Sequence, residues 1–296
     1  KYWIVVEQTS EGGAYLFNGW SSLGYGGSYA NGTCKRYISS WSDLSVDLLY
    51  RLNDFGLQGT VVAFARFSDT LYCGAGDSVY EWDDAARDWT SVDQQANDDV
   101  TDLAVWGGKL WAARGSANVL RESSDGSSWS DVSGENATLL NAGGGYLHYS
   151  GTGANDHKVY YTADGSTFTE LGECGGGDHP VTAMAYYRDT LFAATEVDLW
   201  SCAIEGNAYP VLDWSSQEDS DNGKGMVAWN KTNCLYIPLR YGLYRWNGDS
   251  MVAVGPEQDA GLPEERAGNI VVICPTNNWL YAAINACDNN RSSVLC

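Results

Sequence analysis

A two-residue pattern recurs along the chain at nearly constant spacing. Leu followed by an aromatic residue or His occurs at Leu71-Tyr72, Leu110-Trp111, Leu147-His148, Leu191-Phe192, Leu235-Tyr236 and Leu280-Tyr281, with spacings of 39, 37, 44, 44 and 45 residues. Each pair follows an apolar run and a turn signal, and a third short run comes after it. A fourth run, centred on an aromatic residue, completes most units. Short apolar runs bounded by turn residues are typical of strands, so the repeating unit contains four strands.

This period predicts an all-β fold, a β-propeller of four-stranded antiparallel blades. A period of about 36 to 45 residues with four strands in each unit is typical of propeller blades, whose radial stacking buries faces that a single sheet leaves exposed. Seven second-strand positions, counting Trp3, favour seven blades over six. We expect the small apolar runs at 60 to 66, 100 to 106, 181 to 187 and 269 to 274 to be innermost, beside the crowded axis.

The repeat spans residues 1–296 as one propeller domain with one long insertion. Residues 24–59 exceed an ordinary loop, and their stretch at 40–56 has apolar spacing that suits one or two helical turns. The N-terminal blade lacks a first strand and the C-terminal blade lacks a fourth. We therefore expect the ends to meet through a partner chain, a continuation of the chain, or the insertion, because exposed sheet edges are normally covered.

Two turns carry a recognisable motif. The segments SSDGSSWSDV (123–132) and TADGSTFTEL (162–171) resemble the Asp-box turn of sialidase-type and other propellers, with one residue missing between Asp and the aromatic residue. Asp125-Gly126 and Asp164-Gly165 suit hairpin turns, since Gly accepts a positive φ and Asp caps the turn. The resemblance implies a structural role, because in these families the turns lie away from the substrate.

The repeats also resemble those of propeller proteins in tailed-bacteriophage virions. The likeness lies in segments such as SVYEWDDAARDWTSV (78–92), GLYRWNGDSMVAVG (242–255) and AYLFNGWSSLG (14–24). It implies a tail, baseplate or capsid-surface component, located in a virion or outside the cell. Its partners would be other protein chains of an assembly, or surface glycans.

Charge excludes two classes of partner. Seventeen Lys and Arg stand against 38 Asp and Glu, a formal net charge of -21. Such a chain repels nucleic-acid phosphates and anionic membrane surfaces. No apolar stretch approaches the roughly 20 residues that cross a bilayer. We predict no nucleic-acid binding and no membrane insertion.

No catalytic motif stands out. The three histidines, His148, His157 and His179, share no metal-ligand spacing, and the chain has no Gly-x-Ser-x-Gly elbow or phosphate loop. A sialidase-like site needs an arginine cluster, but no motif surrounds the arginines near strand ends, Arg66, Arg114, Arg188 and Arg240. A non-enzymatic structural, interaction or adhesion module is favoured. The alternative is a secreted propeller that binds or cleaves carbohydrate.

Acidic loops supply the candidate binding residues. The loop SSQEDSDNGKG begins like a calcium loop with Asp219, Asp221 and Gly223, but Asn230 replaces the closing Glu, so a solvated loop is favoured over a calcium site. Several loops that precede a first strand open on the rim of the central channel. The candidate rim residues are Asp98, Asp99, Asp178, His179, Asp219 and Asp221. The sequence therefore predicts no cofactor, with calcium at Asp219 and Asp221 as the alternative.

Cysteines and tryptophans are predicted to serve packing. The eight cysteines include no Cys-x-x-Cys pair, so neither a zinc site nor a disulfide framework follows. Those in or beside apolar strands, Cys73, Cys202, Cys234 and Cys274, suit small buried hydrophobes. Six tryptophans at equivalent blade positions are expected to be mainly packing residues rather than a platform for sugar stacking: Trp82, Trp89, Trp111, Trp129, Trp200 and Trp246.

Overall fold

A computed structural model gives the fold of this chain. It describes residues 57–86, 88–115, 119–174, 179–195, 197–204, 208–213, 225–229, 231–239, 242–253, 269–275, 280–286 and 291–295, together with four short strands before residue 57. Those four are β1 (Glu7–Gln8), β2 (Ala14–Tyr15), β3 (Lys35–Tyr37) and β4 (Trp41–Asp43), paired as β1 with β2 and β3 with β4.

Five four-stranded antiparallel sheets follow, here numbered as blades 1 to 5. Blade 1 contains β5 (Val61–Phe67), β6 (Thr70–Ala75), β7 (Ser78–Asp83) and β8 (Asp88–Gln94). Blade 2 contains β9 (Asp102–Trp106), β10 (Lys109–Ala113), β11 (Val119–Ser123) and β12 (Trp129–Asn136). Blade 3 contains β13 (Leu139–Gly143), β14 (Tyr146–Ser150), β15 (Lys158–Thr162) and β16 (Thr169–Glu173), with a 3-10 turn at Gly153–Asn155.

The remaining sheets continue the same pattern. Blade 4 contains β17 (Ala183–Tyr187), β18 (Thr190–Ala194), β19 (Asp198–Cys202) and β20 (Ala208–Asp213). Blade 5 contains β21 (Val227–Trp229), β22 (Cys234–Leu239), β23 (Gly242–Trp246) and β24 (Met251–Ala253). A three-stranded sixth sheet contains β25 (Asn269–Pro275), β26 (Leu280–Ala286) and β27 (Arg291–Leu295).

Each blade is a meander whose first strand is innermost. In every four-stranded sheet the strands pair in chain order, and the first strands of successive sheets contact one another, from β5 and β9 through to β21 and β25. This radial arrangement is a β-propeller, which confirms the predicted fold class. The runs predicted to be innermost coincide with β5, β9, β17 and β25.

Most of the described apolar core lies between neighbouring blades. The Leu of the repeated pair is fully buried at Leu110, Leu147, Leu191 and Leu235, and each packs in a cluster shared with the preceding blade. Leu71, at the equivalent position of blade 1, is 39% exposed. All six tryptophans pack in apolar clusters, as predicted, and Trp111 is completely buried. Trp82 and Trp89 pack within blade 1, and the other four pack in clusters shared by two blades.

The turns between third and fourth strands share one hydrogen-bonding pattern in four blades. An Asp or Asn oxygen accepts the backbone N–H groups two and three residues later, at Asp83, Asp125, Asp164 and Asn247. The bonds from Ser128 and Ser127 hold the pKa of Asp125 well below its usual value, and those from Thr167 and Ser166 do the same for Asp164. The predicted structural role of the Asp-box-like turns is thus supported by their geometry.

The glycine of each Asp-box-like turn contacts the preceding blade. Gly126 has φ +82°, and a Cβ there would collide with the Tyr72 hydroxyl. Gly165 has φ +76° and lies against the Trp111 ring. Tyr72 and Trp111 occupy the same second-strand position in blades 1 and 2. Each of these turns therefore packs closely against the second strand of the preceding blade.

The insertion and the chain ends are described only in part. Strands β3 and β4 fall inside residues 24–59, and residues 44–56, most of the stretch with helical spacing, lie outside the described residues. Strand β1 lies next to β27 of the sixth sheet. Among the described residues, no helix has the length and apolar character needed to span a membrane.

Candidate functional site

Three of the six predicted rim residues lie within the part of the chain that the structure describes. Asp98 and Asp99 are in the connection that leads into β9, and His179 is in the connection that leads into β17. The first connection joins blade 1 to blade 2 and the second joins blade 3 to blade 4, so blades 2 and 3 come between them in the order of the sheets. The other three candidates, Asp178, Asp219 and Asp221, lie outside the described residues. The calcium alternative at Asp219 and Asp221 is therefore not described either.

Asp98 is fixed through its backbone. Its carbonyl oxygen accepts a hydrogen bond from Arg114 Nη1 at 2.8 Å, and its N–H donates to the Gln95 carbonyl oxygen at 3.0 Å. The residue is half-buried, whereas Asp99 is exposed. The rim loop is therefore rigid at Asp98 and offers the Asp99 carboxylate to solvent.

Arg114 connects blade 2 to blade 1. Its Nη1 also donates to the Asp77 carbonyl oxygen at 3.0 Å, and its Nη2 lies 2.6 Å from Asp93 Oδ2. The side chains of Arg114 and Asp93 are 0% and 5% exposed. Arg121 Nε contacts the same carboxylate oxygen at 3.0 Å. Since these partners all belong to the protein, Arg114 joins blades and is not placed to hold a ligand.

Asp102 is a buried ionisable group on an innermost strand. It begins β9, and burial raises its pKa to about 6, against the opposing effect of hydrogen bonds from backbone N–H groups. Those donors are Leu103 N–H to Oδ1 and Leu140 N–H to Oδ2, both at 2.8 Å. Both oxygens are thus engaged, and the second bond joins blade 2 to blade 3.

His148 is buried between blades 3 and 4. Burial lowers its pKa to about 4, and its Nδ1 lies 3.2 Å from the Asn141 carbonyl oxygen. Because a carbonyl oxygen only accepts, Nδ1 carries the proton of a neutral ring. The ring stacks on Tyr186 with 6.1 Å between centroids. Within the part of the chain described, no cluster of three or more His, Cys, Asp or Glu is arranged to hold a metal ion.

An acidic groove occupies the opposite end of blade 1 from the rim. Its volume is about 590 Å³, and it is lined by Asp69, Thr70, Leu71, Glu81, Trp82, Asp83, Asp84 and Thr90. These residues come from the β5–β6 turn and from the β7–β8 turn and its flanking strands, which a meander brings to one end of the sheet. We call this surface the acidic groove.

The groove combines apolar and anionic groups. Leu71 and the Trp82 ring form its apolar part. Asp83 caps its own turn, and Asp84 accepts a hydrogen bond from Trp82 Nε1 at 2.7 Å. The sequence analysis did not predict this surface. Its signal is the presence of carboxylates in both the turn SDT (68–70) and the run EWDD (81–84), which a meander brings to the same end of a sheet.

Most cations of the described blades are already paired. Arg66, Lys109, Arg114, Arg121 and Lys158 each form an ion pair with a carboxylate of this chain. The excess of 38 acidic over 17 basic residues therefore remains uncompensated at the surface. A surface of this kind attracts cationic partners over distances of about 10 Å at moderate salt.

Comparison with known proteins supports the fold. No protein-family model matches the sequence, and no curated protein matches it. Among solved structures, the chain is similar to YCF48 bound to D1 peptide, with TM-score 0.56, 12% identity and 77% of each chain covered. It is also similar to virginiamycin B lyase from Staphylococcus aureus, with TM-score 0.61, 10% identity, and 79% and 83% covered.

A putative gluconolactonase shows the same degree of likeness. Its TM-score is 0.52 at 10% identity, with 81% of this chain and 88% of that chain covered. At such identities, the likeness establishes a shared propeller fold and no shared activity. The neighbours include both enzymes and a propeller bound to a peptide, so function has to be argued from the surfaces of this chain.

Proposed function

We propose that this propeller is a non-enzymatic binding module whose partner is a cationic segment of another protein, held in the acidic groove. The observation that carries the proposal is the meeting of Glu81 and Asp84 with the apolar surface of Leu71 and Trp82 at one end of blade 1. Asp69 adds a third carboxylate, which is exposed and forms an ion pair with Arg66. A Lys or Arg side chain complements both parts of the groove, because its apolar stem can contact the apolar surface and its cationic head can contact the carboxylates.

The chemistry of the groove fits such an occupant. A guanidinium or ammonium group placed near the Trp82 ring gains cation–π attraction, and the nearby carboxylates accept its N–H groups. The net charge of the chain steers cationic partners toward it. YCF48 bound to D1 peptide is a propeller of similar fold in complex with a peptide, a precedent for the binding mode only.

Two buried ionisable groups support the non-enzymatic part of the proposal. A general base needs a free oxygen within reach of a substrate proton. Asp102 uses both oxygens on backbone N–H groups, and His148 is completely buried. The alternative, a secreted propeller that binds or cleaves carbohydrate, would place a sugar ring on Trp82, since aromatic rings and carboxylates also suit sugars.

The test compares a groove variant with a charge-matched control. In the groove variant, Asp69→Asn, Glu81→Gln and Asp84→Asn remove three charges with little change in shape. Asn suits position 69, whose φ is +67°. The probe is a fluorescent ten-residue peptide of alternating Lys and Ser, titrated by anisotropy against the whole chain. We expect the groove variant to bind at least about tenfold more weakly, a loss of about 1.4 kcal/mol.

The control removes the same number of charges elsewhere. Asp99→Asn, Asp189→Asn and Asp249→Asn alter the rim and the turns of blades 4 and 5, and Asp189 has the same turn position and a similar φ of +58°. We expect this variant to bind less than about threefold more weakly. An equal loss in both variants would mean that only the overall field attracts the peptide, which contradicts a groove site. Binding of neutral oligosaccharides that is lost in Trp82→Ala would favour the carbohydrate alternative.

We further propose that the module acts in a virion or outside the cell, as the likeness of its repeats to phage propellers implies. The surplus negative surface suits docking onto another protein of an assembly. Isolation of the protein from its source under mild conditions tests this location. Recovery in a large particle or in the extracellular fraction supports it, and recovery as a free intracellular protein argues against it.

A further inference from the structure

Two buried thiols meet at the interface between blades 3 and 4. Cys174 directly follows β16, and Cys202 ends β19. Their sulfur atoms are 3.8 Å apart, and both residues are completely buried as free cysteines. Both belong to one apolar cluster, together with Val159 and Leu191. The contact therefore joins two neighbouring blades.

The other described cysteines have different surroundings. Cys73 lies in blade 1, where burial raises its pKa to about 12. Cys234 begins β22 in blade 5, and its thiol donates to the Thr232 carbonyl oxygen at 3.2 Å. Among the four cysteines whose side chains the structure describes, Cys174 and Cys202 are the pair in contact with each other.

We propose that Cys174 and Cys202 form a disulfide that cross-links blade 3 to blade 4 when the chain folds in an oxidising compartment. A disulfide requires sulfur atoms about 2.05 Å apart, so the two thiols must approach by less than about 2 Å. Residues 28 apart in the chain would then be joined covalently.

The reaction balances with a small disulfide, such as oxidised glutathione, as the oxidant. One cysteine thiolate attacks a glutathione sulfur, the glutathione S–S bond breaks, and one glutathione thiolate leaves. The second cysteine thiolate attacks the mixed disulfide and releases the second glutathione thiolate. Two cysteines are oxidised, one glutathione disulfide is reduced to two thiols, and the two cysteine protons end on the glutathione sulfurs.

Burial determines when the bond can form. The hydrogen bond with Cys202 and burial raise the pKa of Cys174, which keeps the thiol protonated and unreactive in the folded blade pair. The disulfide therefore forms during folding or while the two blades are transiently apart. Once formed, it is shielded from reductants by the same packing, as is typical of stable structural disulfides.

Peptide mapping tests the cross-link directly. The full chain is refolded with reduced and oxidised glutathione, its remaining thiols are alkylated in denaturant, and it is digested with trypsin without reduction. Each predicted tryptic peptide, 159–188 and 189–224, contains one cysteine. The expected product is the two peptides joined, two hydrogen atoms lighter than their sum. Recovery of both peptides only in alkylated form, or joined to other partners, overturns the proposal.

Thermal unfolding supplies a second test with a matched control. Oxidised wild-type protein should unfold at a midpoint about 5 °C or more above the reduced form, because the cross-link restricts the unfolded chain. Cys174→Ala should abolish this difference, whereas Cys73→Ala, at an equally buried cysteine, should retain it. A difference that survives in Cys174→Ala contradicts the assignment. If the alanine variants do not fold, the peptide map of the wild-type chain decides alone.

Discussion

Replacing Arg114 with Met tests whether buried polar bonds hold blade 1 to blade 2. Methionine keeps most of the apolar volume but removes the ion pair to Asp93 and two hydrogen bonds, to the Asp77 and Asp98 carbonyl oxygens. Removing one partner of a buried pair costs about 3 to 5 kcal/mol. Because Arg121 still neutralises Asp93, we expect the lower end of this range, about 3 kcal/mol, from urea unfolding.

The matched control is an exposed pair in blade 1. Arg66 and Asp69 lie 3.0 Å apart, but their side chains are 73% and 95% exposed, and pairs of this kind contribute about 0 to 1 kcal/mol. Arg66→Met should therefore change the free energy of unfolding little. If Arg114→Met loses no more stability than Arg66→Met, the buried network does not hold the blades together. Peptide binding at the groove should survive Arg114→Met, because the groove is at the other end of blade 1.

Three further perturbations address other parts of the blade interfaces. The pKa of Asp102 in the folded protein, about 6, exceeds its ordinary value of 3.8, so the free energy of unfolding should fall as pH rises between these values. The free energy of unfolding of the wild-type chain should therefore exceed that of Asp102→Asn by more near pH 4.5 than near pH 7. Trp111→Ala empties a completely buried site and should cost about 3 to 5 kcal/mol in urea unfolding, so an unchanged midpoint would refute its packing role. Asp125→Ala should lower the thermal midpoint, whereas Asp125→Asn should preserve it, because Asn247 caps the equivalent turn in blade 5.

Local patterns were sufficient to predict the blades. The apolar first runs became innermost strands because their small side chains allow successive first strands to approach, as the contacts of β5 with β9 show. The Asp-box-like turns were recognised at Asp125 and Asp164, since DG is a strong turn signal. Asp83 and Asn247 cap equivalent turns, but the sequence does not show this. Their segments, WDDAARDW and WNGDSM, differ in length and neither contains the dipeptide DG.

The candidate sites could not be predicted in the same way. Asp98 and His179 lie in connections that precede a first strand, but their position relative to each other depends on how the sheets stack. Arg114 was noted only as an arginine near a strand end, and its partner Asp93 belongs to another blade. The pairing of Cys174 with Cys202 likewise crosses between blades, and no spacing rule relates residues on facing sheets.

Salt should have opposite effects on peptide affinity and on thermal stability in this protein. A net charge of -21 destabilises the compact state by self-repulsion, which salt screens, whereas screening weakens attraction to a cationic segment. Between roughly 20 mM and 300 mM NaCl, the thermal midpoint should therefore rise while the affinity for the Lys-Ser peptide falls. Weaker binding at high salt then cannot result from unfolding. If affinity and thermal midpoint both rise with salt, apolar contact rather than charge dominates recognition, and the acidic groove is the wrong surface.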